Sequence, residues 1–266
     1  MLASELIAQI ENYAPKSLAW ERDRIGIQLG DPNQEIHRVM TTLDVRPEVV
    51  DEAIARDADF IFAHHPMMFH AAKDLDLSNP QNAMYAKLLA HNIVVYAVHT
   101  NLDAAYPGLN DWLAEDLEIV EDVEPLLPNP DGQTGIGRIG NLAEPTTVAE
   151  YAEFVRETFN VAHVRVIAND LQRQIQRIAV LGGDGDSDYE VAQAKGADAF
   201  VTADVYYHTG HDILAHDMVV IDPDHHMEAN AKPKMAQLVK TWKKTYQWDL
   251  DDVFVSEVNT DPYTYI

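Results

Sequence analysis

Short apolar runs alternate with helix-spaced segments along most of the chain. Ser4 ahead of Leu6, Ile7 and Ile10 predicts a first helix that ends before Pro15. Ile25 to Gly30 predicts a short strand or hairpin arm closed by the turn residues Asp31, Pro32 and Asn33. Arg38 to Leu43 reads as a strand leading to Asp44. Pro47 then suits the first turn of a helix carrying Val49, Val50, Ala53 and Ile54. Asp59 to Ala63 is a strand, Asn82 to His91 a helix and Ile93 to Val98 a strand. This β-α-β-α-β alternation predicts a mostly parallel sheet flanked by helices, with ligands beyond the carboxyl ends of the strands.

The rhythm breaks at Glu121 to Gly140, where Pro125, Pro128, Pro130, Gly132, Gly135 and Gly137 crowd one stretch that reads as an inter-domain crossing or mobile loop. Beyond it, Thr147 opens a helix through Val155 and Phe159, and Val164 to Ile167 and Ile178 to Leu181 are strands. The second of these runs into Gly182 to Ser187. That Gly-rich turn either seats an anion at the start of a helix from Tyr189 to Lys195 or is a tight turn with no ligand. Ala199 to Thr202 and Met218 to Ile221 are further strands. Met235, Leu238, Val239, Trp242 and Tyr246 mark an amphipathic helix, and Val253 to Val255 a last strand that rejoins the first part of the chain. Tyr263, Tyr265 and Ile266 suit docking at a subunit interface.

Titratable residues gather where these strands end. The run Phe60 to Ala63 delivers His64 and His65 just before Pro66, which blocks continuation of a central strand and lets the backbone turn. Within a strand the two imidazoles would point to opposite faces; at its end both can serve one site. A second delivery is His99-Thr100-Asn101-Leu102-Asp103. Here a loop aspartate, Asp103, is suited to bridging cations or to capping a helix near Leu109, and His99 to supporting a ligand. A third, Asp222 to Glu228, places His225 and Glu228 three residues apart and so on one helix face; Asp204 and His208 follow another strand. Together His64 and His65, then Asp103, then His225 and Glu228 supply three imidazoles and two carboxylates, a nitrogen–oxygen set suited to two divalent ions.

Composition narrows the chemistry. Lys and Arg number 19 against 44 Asp and Glu, a net charge of −25 that repels phosphate backbones and anionic membranes. With no basic groove or aromatic stacking series, the pattern argues against nucleic-acid binding. The chain has no cysteine, which excludes disulfides and thiolate metal sites and favours iron, manganese, zinc, nickel or cobalt held by nitrogen and oxygen. No stretch has 18 consecutive apolar residues, and the start lacks a signal-peptide pattern, so a soluble, cytoplasmic protein is expected.

The chain resembles the GTP cyclohydrolase 1 type 2 family, also called the NIF-three-like dinuclear-metal proteins. The resemblance runs through W-x-x-D-x-x-G-x-Q-x-G (Trp20, Asp23, Gly26, Gln28, Gly30), Leu43-Asp44-Val45, Ala63-His64-His65-Pro66 and His99 to Asp103. It continues through Gly182-Gly183-Asp184-Gly185, Thr202 to His208 and Asp222 to Glu228, and so covers nearly the whole chain in order. It implies that His64, His65, Asp103, His225 and Glu228 bind two metal ions, with His99 and His208 lining the same cleft; in a hydrolase built on such a site, His99 or His208 is expected to move protons. Asp224 stands where many relatives have glycine, so His226 is an alternative to His225. The resemblance further implies an α/β fold of two α/β domains with mixed, mostly parallel sheets. The first would be residues 1–125 plus 234–266 and the second residues 126–233. A toroidal homohexamer is implied as well. The expected function is a metal-dependent hydrolase acting on a nucleotide or phosphoester through a metal-bound hydroxide. The alternative is a non-enzymatic metal-binding, assembly or regulatory protein.

Overall fold

A computed structural model describes residues 1–266 and contains two sheets, each in its own compact unit. The first unit comprises Met1–Leu102 and Ala231–Pro262, the second Asp103–Asn230 and Tyr263–Ile266.

The first sheet has the order β1-β4-β3-β2-β11. Its strands are β1 (Gly26–Leu29), β2 (Arg38–Thr42), β3 (Phe60–Ala63), β4 (Val94–Ala97) and β11 (Asp252–Val255). β11, β2, β3 and β4 pair in parallel, and β1 closes the edge antiparallel to β4. Every residue of β3 and β4 is buried, as expected of central parallel strands covered on both faces. On one face, α2 (Pro47–Ala55) and α3 (Pro80–Ala90) pack Val49, Val50, Ala53, Met84 and Leu88 against Met40, Ile61 and Val95. α1 (Ala3–Tyr13) and α9 (Ala231–Tyr246) meet through Tyr13 and Trp242, whose rings lie 5.8 Å apart edge to face. Tyr96 of β4 donates to Glu11 of α1 at 2.8 Å. The last strand does rejoin this unit. Just past it, Ser256 donates to Glu52 of α2 at 2.5 Å, and the Arg56 guanidinium stacks 3.7 Å from the Phe254 ring centre.

The second sheet runs β5-β6-β8-β9-β10-β7. Its strands are β5 (Glu121–Pro128), β6 (Gly135–Thr147), β7 (Arg165–Ile167), β8 (Gln174–Asp184), β9 (Ala199–Ala203) and β10 (Val219–Asp222). β8, β9 and β10 form a parallel centre, with antiparallel β6 and β5 on one side and β7 on the other. Helices α4 (Thr100–Ala104), α5 (Leu109–Asp116), α6 (Val148–Thr158), α7 (Tyr189–Ala194) and α8 (Tyr207–Ala215) complete the chain. Thr147 caps α6 through a reciprocal pair of bonds with Glu150, as its position before the apolar run predicts. No helix is long and apolar enough to cross a membrane.

Two expectations are corrected. The stretch from Glu121 to Gly140 is an ordered hairpin of β5 and β6 and not a crossing or mobile loop. Pro125 and Pro128 fall on β5, an edge strand that tolerates missing N–H donors, and Pro130 lies in the turn after it. Gly135 is steric, since a Cβ there would lie 2.3 Å from the Leu127 carbonyl oxygen, whereas Gly132 has open space around it and serves the turn through its φ of +72°. The division between units falls at Leu102/Asp103 and Asn230/Ala231 in place of 125/126 and 233/234. The reason is that α5 packs on β6 and β8, and β5 pairs with β6, so residues 103–125 belong with the second sheet.

A buried ion pair ties that second unit together. Arg138 of β6 is 1% exposed. It grips Asp111 of α5 through Nε at 2.6 Å and Nη2 at 2.7 Å, and also donates to the carbonyls of Gly135, Gly137 and Ala105. Asp111→Ala leaves the guanidinium buried without counter-charge and is expected to lower stability by about 3–5 kcal/mol, read from urea denaturation. Replacing both partners with apolar residues recovers part of that loss.

Candidate metal centre

β3 stops at Ala63, and the backbone leaves the sheet still tethered to its neighbour: His64 N donates to Thr42 O at 3.1 Å and His65 N to Leu43 O at 2.9 Å. His64 is fully buried and His65 half-buried. β4 ends beside β3, and Val98 N bonds Ala63 O at 3.0 Å, so His99 arrives at the same end of the sheet. One ring nitrogen from each of His64, His65 and His99 lies within 4.8 Å of the others, with ring centres 4.9–5.6 Å apart.

Two of these rings are oriented by carboxylates. His65 Nδ1 lies 2.8 Å from Asp44 Oδ1, and His99 Nδ1 lies 2.9 Å from Asp23 Oδ1. A carboxylate only accepts, so each Nδ1 carries the proton and each Nε2 presents its lone pair. Thr260 holds the other oxygen of Asp44 at 2.5 Å. Burial pushes the Asp23 carboxyl up, but hydrogen bonds from His99 and Thr100 outweigh it and hold the group well below the usual carboxylate range. Asp23 is therefore ionised at neutral pH and keeps the His99 tautomer fixed.

The W-x-x-D-x-x-G-x-Q-x-G segment thus has a physical explanation. Asp23 orients His99, and Trp20 N donates to Thr100 Oγ1 at 2.9 Å. The Gln28 carbonyl oxygen accepts from Met68 N at 3.2 Å, pinning the loop that follows Pro66. Gly30 has φ +97°, and a Cβ there would lie 2.8 Å from Val94 Cα.

In the second unit, the strand ends of β8, β9 and β10 carry a parallel arrangement. Residues His225–Asn230 form a 3-10 helix after β10, tighter than the α-helical turn that the His225 to Glu228 spacing suggests. His225 Nδ1 lies 2.6 Å from Asp204 Oδ2, and its Nε2 lies 3.3 Å from Glu228 Oε2. Glu228 is buried, and one of its carboxylate oxygens lies within 4.8 Å of one from Asp103. Asp103 sits in α4 and not in a loop. Its carbonyl accepts from Asn110 Nδ2 at 3.1 Å, and Asn110 Oδ1 accepts from Gly182 N at 3.0 Å, which links Asp103 to the end of β8.

The Gly-rich turn shapes this cluster. Gly183 has φ +72°, and a Cβ there would lie 2.9 Å from Glu228 Oε1 and 3.2 Å from His225 Nε2. Burial, with the charge of Asp186, pushes Asp184 up, and burial likewise raises Asp188; surroundings of this sign disfavour an anion in the turn. Buried Asp222, pushed up by burial, accepts from Val205 N and Asp224 N and lies against Arg165, so it locks the chain ends that present Asp204 and His225. His208 lies on exposed α8 with its ring 5.5 Å from Tyr206 and 5.4 Å from Tyr207.

The donors in both clusters are nitrogen and oxygen only, from imidazoles of which His65, His99 and His225 are oriented by carboxylates, and from buried carboxylates beside a glycine cradle. This set fits divalent metal ions. Sequence reasoning singled out His64, His65, His99, Asp103, His225 and Glu228 but left out Asn110, and it gave no role to Asp23, Asp44 and Asp204. Asp44 and Asp204 closely follow strands, which was the available signal; Asp23 lies ahead of β1, and for Asn110, whose partners are backbone groups, there was none.

Fold and donors together define an α/β protein of two units whose parallel strands end in nitrogen–oxygen ligand clusters. The chain belongs to the DUF34/NIF3 (NGG1p interacting factor 3) family, whose profile matches residues 1–262. It is 40% identical over 269 positions to a Streptococcus pneumoniae protein named GTP cyclohydrolase 1 type 2 homolog, an alignment that covers 100% of both chains. A Streptomyces coelicolor protein of the same name is 33% identical over 267 positions, covering 98% of this chain and 93% of the relative. The crystal structure of a Bacillus cereus protein related to NIF3 superposes with a TM-score of 0.93 at 27% identity, covering 100% of this chain and 99% of that one.

Replacing the orienting carboxylates tests whether they support ligands. Asp44→Asn and Asp204→Asn are each expected to weaken zinc or manganese binding about 10–100-fold, measured by competition with a chelating dye.

Proposed function

We propose that this protein is a divalent-metal-dependent hydrolase of a nucleotide or phosphoester. His64 and His65 in one unit, and Asp103, His225 and Glu228 in the other, hold two ions of iron, manganese, zinc, nickel or cobalt. The observation that carries the reading is the His64–His65–His99 cluster, with His65 and His99 held by carboxylates so that the Nε2 of each is unprotonated, free to ligate in His65 and to take up a proton in His99. The relatives' name, GTP cyclohydrolase 1 type 2 homolog, supports a nucleotide as substrate.

When bound, such ions lower the pKa of a coordinated water towards neutrality and stabilise charge on a departing oxygen. The residues of this chain contribute positioning and proton transfer. Asp44 and Asp204 hold His65 and His225 in place. His99 is the proton carrier in this scheme: Asp23 fixes its Nδ1 proton and stabilises the imidazolium that forms when Nε2 takes up a second proton. His208, exposed on α8 with its ring beside those of Tyr206 and Tyr207, is the second candidate for the proton-transfer role.

The reading includes a cytoplasmic location and assembly as a homohexamer. Exposed aromatic residues at Tyr206 (62%), Tyr207 (73%) and Tyr263 (59%) support contact between subunits.

The test is metal content per chain together with a panel of nucleotides and phosphoesters under manganese, iron or zinc. The expected result is metal bound by the wild type and lost in His64→Ala, with turnover of at least one substrate that falls about 100-fold or more in His99→Ala. Metal retained with no turnover across the panel supports the non-enzymatic reading instead.

A further inference from the structure

Beside His65, the first unit holds a cavity of about 290 Å³ lined by Asp44, Arg46, His65, Met67, Phe69 and Tyr85, among others. We propose that this cavity is a substrate subsite that binds a small planar ring carrying a phosphate, with Arg46 as the phosphate anchor and Phe69 and Tyr85 as the walls for the ring. The proposal deepens the hydrolase reading, on which it rests for the identity of the reacting centre.

Arg46 is the first observation. In a chain of charge −25, most arginines, Arg38, Arg56, Arg138 and Arg165 among them, lie against a carboxylate; Arg22, Arg24 and Arg46 do not, and of these Arg46, which is exposed, lines this cavity. Asp44, the acid lining the same cavity, is already engaged by His65 and Thr260. Arg46 therefore offers a planar, permanently charged fork to an incoming anion, a geometry that matches phosphate oxygens two at a time.

The walls are the second observation. Met67 and Tyr85 are buried and Phe69 is 60% exposed, an apolar lining that rises to an aromatic rim. Gln81 donates its amide nitrogen to Met67 O at 3.1 Å and to Tyr85 Oη at 2.9 Å. Both of its donors are thereby engaged, and its carbonyl oxygen is left to accept from an N–H on the ring. Size sets the class. Ligand clefts span roughly 300–1,000 Å³, so this cavity, at the floor of that range, takes one ring and its charged group and not a whole nucleoside triphosphate. It would hold the part of the substrate that does not react, beside His65, which lines the cavity and has a ring nitrogen within 4.8 Å of those of His64 and His99.

Phenyl phosphate is the probe, with phenol as the uncharged control, titrated by calorimetry into protein as purified and after dialysis against a chelator. Metal content is measured on the same samples. The expected result is binding of phenyl phosphate in both preparations, weakened about tenfold or more in Arg46→Gln, with phenol binding and metal content unchanged by that substitution. Phe69→Ala weakens both compounds. Equal affinity of wild type and Arg46→Gln for phenyl phosphate, or binding that vanishes with the metal, overturns the subsite. A wild type that carries no metal yet binds through Arg46 supports the subsite and removes the hydrolase reading.

Discussion

Parallel pairing of β3 between β2 and β4 fixes where the backbone carrying His64 and His65 leaves the sheet. Neighbouring side chains in a regular strand diverge to opposite faces, so two adjacent histidines can work in one place only where the strand ends. The ladder runs through Ala63, and the next two N–H groups are then taken by Thr42 O and Leu43 O of the adjacent strand. Because β4 lies parallel and in register on the other side, His99 emerges at the same end. Burial of β3 and β4 on both faces makes that register rigid, and it is what sets the spacing of the three imidazoles.

The second unit applies the same rule to different residues. β8, β9 and β10 run parallel, and their carboxyl ends supply Gly183, Asp204 and His225. Long antiparallel β6 and edge strand β5 extend this sheet on one side, and Arg138 fastens α5 to it through Asp111. α5 in turn carries Asn110, which bonds Asp103 on one side and Gly182 on the other. A buried salt bridge thus bears on where a candidate ligand sits, through Asn110 on α5 and the Ala105 carbonyl two residues beyond Asp103. In both units imidazoles are oriented by carboxylates that lie behind the candidate ligands, Asp44 behind His65 and Asp204 behind His225.

Much of this was legible in the sequence because apolar runs of four to six residues ending in His or Asp have few structural readings. Phe60 to Ala63 and Val94 to Ala97 became central strands as expected, and the amphipathic segment from Met235 to Tyr246 is the greater part of α9. Misreadings arose where local propensity and tertiary context disagree. Prolines and glycines between Glu121 and Gly140 suggest a loop only until β5 is known to be an edge and Gly135 to meet Leu127. Asp103 looks like a loop residue because α4 has only five residues, too short for a periodic signal. Arg138 gave no hint of burial, since an arginine is buried only when its acid and carbonyl partners converge from elsewhere in the chain.

The central claim is that these strand-end imidazoles and carboxylates hold metal. Crystals grown with manganese or zinc, with diffraction recorded on both sides of the metal's absorption edge, test it most directly. The account predicts anomalous density at the imidazoles of His64 and His65 and at the carboxylates of Asp103 and Glu228. Density confined to the acidic outer surface, with none at His64 and His65, would contradict it.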